Sequence, residues 1–126
     1  MAYGIEDLRA IMAQLRAPNG CNWDKQQTFA SLAPYAIEEA HEVAEAIAEQ
    51  NYSHLCDELG DLLLQVVFQA QIAQEQQLFS FDDVVNAISQ KMIRRHPHVF
   101  EKTSDLSPEQ VSQQWETIKA QEQQQQ

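Results

Sequence analysis

The stretch "SHLCDELGDLLLQVVFQAQIAQEQQ", residues 53–77, constrains the fold more than any other part of the chain. It contains no proline, and apolar side chains cover most of its circumference when it is wound as a helix. Such a helix must be enclosed on several sides, which predicts a central place in a helical bundle. Its polar residues form one narrow stripe, Asp57, Glu58, Asp61, Gln65 and Gln69.

The flanking sequence supplies the partners. Ile5, Leu8, Ile11, Met12 and Leu15 recur at helical spacing over 5–16, and "APNG" stops that helix. After the connector "CNWDKQQT" and a short helical turn "FASLA", Pro34 suits the first position of a helix reaching about Glu49. In that helix Ala36, Ile37, Ala40, Val43, Ala44, Ile47 and Ala48 share one arc, with the glutamates on the opposite arc and Glu39 at its margin. Ser80, with Asp83 three residues on, resembles a capping box before "VVNAISQKMIRR", and His96-Pro97 ends that helix. Ser107, Pro108 and Gln110 open the last one. The expected architecture is an all-α bundle built around two long central helices. It forms a single domain over 1–120, followed by a Gln-rich tail, 121–126, that frays or acts as a linker.

Charge is distributed unevenly along this framework. The net charge is −11, and between Gln26 and Gln90 there are eleven acids and no Lys or Arg. Such a field disfavours nucleic acid and anionic membranes as partners and attracts divalent cations. Two cysteines, Cys21 and Cys56, fit reduced thiols better than a disulfide framework. No signal-peptide pattern and no apolar run of membrane length is present, so a cytoplasmic location is expected.

The acids fall at informative spacings. Glu38, Glu39 and Glu42 lie three and four apart on one helix, and Glu58 and Asp61 three apart on the next. Residues so spaced share a face, so an antiparallel pair of helices brings four or five carboxylates together. An uncompensated cluster of that kind is unfavourable, and a hard divalent cation with oxygen ligands relieves it. A solvated face remains the alternative for the glutamates taken alone, above all Glu45 and Glu49. Gly60 between Glu58 and Asp61 suggests close backbone approach or tight helix packing. A di-iron site needs two Glu-x-x-His motifs, and only Glu38-x-x-His41 is present. An oxygen-only site for Mg²⁺, with Mn²⁺ as substitute, fits better.

"EEAHE", fifteen intervening residues and "ELGD" resemble the two-part acidic signature of MazG-type nucleoside triphosphate pyrophosphohydrolases. "NGCNWDKQQTFASLAPYAIEEAHEV", "RRHPHVF" and "WETIKAQE" extend the similarity over nearly the whole chain. The resemblance implies a dimeric, or higher oligomeric, all-α enzyme that cleaves nucleoside triphosphates between the α and β phosphates. It implies Mg²⁺ held by Glu39, Glu42, Glu58 and Asp61, with Glu38 orienting or activating water. Lys91, Arg94 and Arg95 match phosphate-contacting positions, and Trp115 matches a position near the nucleotide. Trp23 is read as a lid over the nucleotide or a loop anchor, and Lys25 as a phosphate contact. His54 stands where relatives are expected to carry a basic phosphate contact, and Asn22 where the family pattern has proline. A catalytically silent metal-binding or dimerisation module is the alternative reading.

Overall fold

The computed structural model describes residues 2–102 and 105–124. Its helices are α1 (Ile5–Leu15), α2 (Asn22–Gln26), α3 (Phe29–Ala48), α4 (Tyr52–Glu75), α5 (Phe81–Arg94), α6 (Pro97–Phe100) and α7 (Pro108–Gln124), with no strand among the described residues. The chain divides into two compact units, one ending at Phe81 and one beginning at Asp82. Of the tail expected at 121–126, α7 includes the first four residues, and Gln125 and Gln126 lie outside the described residues.

In the N-terminal unit α4 packs against both α3 and α1, as its apolar circumference predicts. Met12, Leu32, Val67, Phe68 and Ile72 form the buried core, with Leu8, Leu15, Phe29, Leu64 and Phe81 packed around it. Arg16 ties the end of this core together. Its guanidinium forms a bidentate pair with Glu75 at 2.9 Å and donates to the carbonyls of Asp24 and Gln27. Gly20 lets the chain fold back onto the end of α1, because a Cβ there would overlap the Leu15 carbonyl. Cys21 N–H then reaches that same carbonyl at 2.8 Å.

Two boundaries differ from the sequence reading. Part of the expected connector is helical, as α2. Helix α3 begins at Phe29 rather than Pro34, so Pro34 lies inside it. The cause is a reciprocal cap. Thr28 N–H donates to Ser31 Oγ at 2.8 Å, and Ser31 N–H donates to Thr28 Oγ1 at 3.1 Å. Together with burial of Leu32, this outweighs the one backbone bond the proline cannot make.

The α3–α4 hairpin is closed by three residues. Gln50 adopts a left-handed φ of 57°, Gln50 N–H donates to Ile47 O, and Asn51 N–H donates to Ala46 O. This pattern terminates a helix and satisfies its last carbonyls. Asn51 then caps α4 by accepting the His54 N–H at 3.2 Å.

The C-terminal unit has no fully buried residue among those described. Helix α7 opens with the expected box: Gln110 N–H donates to Ser107 Oγ, and Ser107 N–H donates to Gln110 Oε1. Arg94, the last residue of α5, and Arg95 just after it both pair with Glu122 of α7, at 2.6 and 3.0 Å.

Candidate metal centre

Because the α3–α4 turn is short, the two acidic helices run back to back. Helix α3 contributes Glu39 and Glu42, and α4 contributes Glu58 and Asp61. One carboxylate oxygen from each of the four lies within 4.8 Å of the others. The expected solvent face of α3 is therefore partly its inner face. Glu39 and Glu42 are half-buried, whereas Ile37 and Ile47, placed by the sequence reading on the apolar arc, are 61% and 56% exposed. The polar stripe of α4 turns inward in part, with Glu58 and Gln65 buried and Asp57 and Asp61 exposed.

The cluster is electrostatically incomplete by itself. Glu58 is only 8% exposed, and Oε2 of both Glu39 and Glu58 is buried without a hydrogen-bond donor. Burial, and then the charges of Glu42, Asp61, Glu58 and Glu38, push the Glu39 carboxyl above its ordinary range. The Glu42 carboxyl is pushed up mainly by its hydrogen bond to Glu58 and by the charge of Glu58. These groups must share protons or receive a cation. Donorless buried oxygens and an all-carboxylate set fit a hard divalent ion, which takes oxygen ligands. A di-iron site built on two Glu-x-x-His motifs is not served by this set: His41 is exposed and lies outside the four-residue cluster.

The other expected site residues are placed as follows. Glu38 is exposed on α3, near enough to raise the Glu39 carboxyl. His54 Nε2 lies 2.9 Å from Glu58 Oε1, and its Nδ1 lies 4.0 Å from Glu49 Oε2. Lys25 Nζ donates to the Pro18 carbonyl at 2.8 Å. Trp23 meets Tyr35 and Phe68 edge-on, with ring centroids 6.1 and 6.5 Å apart, which is anchor geometry. Gly60 faces open space, since a Cβ there would meet nothing within 4 Å, so no close approach within this chain requires it.

In the C-terminal unit, Lys91, Arg94 and Arg95 line a cavity of about 290 Å³ with Lys119, Glu122 and Gln123. The Arg95 guanidinium also lies 4.8 Å from the centre of the Trp115 ring. Sequence reasoning missed Lys119 and Glu122. Their signal was the spacing Trp115, Lys119, Glu122, which repeats at one helical turn but is submerged in a glutamine-rich segment.

A helical hairpin that turns four carboxylates on one another, within an all-α chain, is a frame that could hold a metal ion. Comparison with known proteins gives that frame its family. Residues 27–100 match the MazG nucleotide pyrophosphohydrolase domain. The chain belongs to the MazG family. It is 54% identical over 119 residues to a nucleoside triphosphate pyrophosphohydrolase of Escherichia coli K12, covering 94% of this chain and 45% of that protein. It is 53% identical over 118 residues to the nucleoside triphosphate pyrophosphohydrolase/pyrophosphatase MazG of Thermotoga maritima, with the same coverage of each. The chain thus spans about half the length of these relatives. A crystal structure of a mazG-related protein from Thermotoga maritima superposes with a TM-score of 0.75 at 25% identity, covering 92% of this chain and 99% of that one.

Proposed function

We propose that this chain is a Mg²⁺-dependent hydrolase that converts nucleoside triphosphates to monophosphates and pyrophosphate. The observation that carries this reading is the four-carboxylate cluster with two buried, donorless oxygens. Family membership and the printed names of the relatives support the substrate class.

In this reading Glu39, Glu42, Glu58 and Asp61 hold the cation. When bound, the ion supplies positive charge against the phosphate oxygens and acidifies water nearby, with Mn²⁺ as a substitute. Glu38, exposed beside the cluster, accepts the proton of the attacking water. Lys91, Arg94 and Arg95 are the proposed phosphate contacts of the C-terminal unit, where Arg94 and Arg95 also pair with Glu122. Trp115, already against Arg95, offers a stacking surface for the base.

The protein acts in the cytoplasm on the nucleotide pool. No helix among the described residues is long and apolar enough to cross a membrane. A homodimer is proposed because Ile37, Ile47, Leu59, Leu63 and Val66 leave α3 and α4 apolar where this chain does not cover them.

A panel of nucleoside and deoxynucleoside triphosphates, with product analysis, tests the reading. Monophosphate and pyrophosphate are the expected products, and diphosphate with inorganic phosphate would contradict the bond assignment. A chain that binds the cation but turns over none of the panel would instead be a metal-binding module.

A further inference from the structure

The imidazole of His54 is directed at the cluster rather than away from it. His54 and Glu58 are four residues apart on α4, so their side chains share one face. His54 Nε2 stands 2.9 Å from Glu58 Oε1, at hydrogen-bonding distance. The other oxygen, Oε2, is the one that is buried and lacks a donor. The backbone beneath the histidine is also fixed, because its N–H is taken by the Asn51 cap.

A surface pair at this spacing stabilises a helix by only a few tenths of a kcal/mol. Here, however, one partner is an 8% exposed carboxylate in the cluster. The contact therefore does more for orientation than for stability. A carboxylate has no donor and several acceptor positions, so an N–H held against one oxygen selects which oxygen stays free.

We propose that His54 is a positioning residue for the cation: it holds Oε1 of Glu58 so that Oε2 alone is offered to the ion. This rests on the cation reading of the cluster. Asparagine and glutamine side chains carry N–H donors, whereas alanine and leucine do not, which separates donation from bulk.

The test is Mn²⁺ titration at one fixed pH, following free Mn²⁺ by electron paramagnetic resonance. Wild type, His54→Ala, His54→Leu and His54→Gln are compared, with melting of the metal-free proteins as the folding control. The two donorless variants are expected to bind Mn²⁺ about 10–100-fold more weakly, as for loss of other outer partners of metal ligands. His54→Gln is expected to recover most of the affinity. Wild-type affinity in His54→Ala and His54→Leu would overturn the proposal, as would a His54→Gln variant as weak as either. Those outcomes leave the cation reading intact. Absence of Mn²⁺ binding by wild type would overturn that reading, and the role of His54 with it.

Discussion

Glu39 is half-buried on α3, with the charges of Glu42, Asp61, Glu58 and Glu38 around it and one oxygen that finds no donor. Its carboxyl is raised above 4.5 in the folded chain, so folding favours the protonated form. The linked stability is fully present below the unfolded value and is lost as pH rises through the folded one. At neutral pH, metal-free Glu39→Gln should therefore melt above metal-free wild type, and the gap should narrow as pH falls toward 4.5. The same variant should bind Mn²⁺ more weakly. Glu122 shows the opposite sign. Hydrogen bonds from Arg94 and Arg95 lower its carboxyl to about 2, so its contribution is present above 4.5 and is lost as pH falls toward about 2. Denaturant melts of wild type and Glu122→Gln should differ at neutral pH and converge across that acidic window.

At the scale of elements, the sequence was most legible where local chemistry decides. Periodicity located α1 and α4, the start signal at Ser80 and the stop at His96-Pro97 bracketed α5, and the Ser107–Gln110 box opens α7 as its spacing predicts. Helix α3 was misjudged because Pro34 was weighed as a start signal while the Thr28–Ser31 cap was overlooked. Its apolar arc was also a poor guide to burial, although the carboxylate spacing already turned Glu39 and Glu42 toward the next helix. A helical wheel ranks faces by hydropathy, but here the face turned to α4 carries Glu39 and Glu42, and apolar Ile37 and Ile47 lie exposed. Two glycines separate packing from conformational preference. Gly60 has open space at its missing side chain, so Gly60→Ala should stabilise by about 0.5–1 kcal/mol and leave Mn²⁺ binding unchanged. Gly20 lies against the Leu15 carbonyl, so Gly20→Ala should destabilise by about 1–3 kcal/mol. Paired denaturant melts check both signs.

For the whole molecule, stability is concentrated in one unit. The apolar core of Met12, Leu32, Val67, Phe68 and Ile72 belongs to the N-terminal unit, and no described residue of the C-terminal unit is fully buried. Hydrogen exchange should accordingly show the slowest amides in α4 around Phe68–Ile72, with α5 and α7 exchanging well before them. Similar protection in both units would contradict this. The candidate site was half legible in the same way. Spacing marked Glu38, Glu39, Glu42, Glu58 and Asp61, because helical geometry fixes which acids share a face, and only the family resemblance narrowed the expected ligands to Glu39, Glu42, Glu58 and Asp61. Spacing did not mark the pairing of Arg94 and Arg95 with Glu122, which joins residues more than twenty-five apart in the chain.

The central claim is that the α3–α4 carboxylates hold a divalent cation on which nucleotide cleavage depends. The direct measurement is pyrophosphate release from one accepted nucleoside triphosphate against Mg²⁺ concentration, in wild type and Glu42→Ala. A saturable Mg²⁺ dependence is expected in wild type, with the rate in Glu42→Ala lower by more than about 100-fold. Equal rates in the two proteins, or full turnover in wild type with all divalent cation chelated, would contradict it.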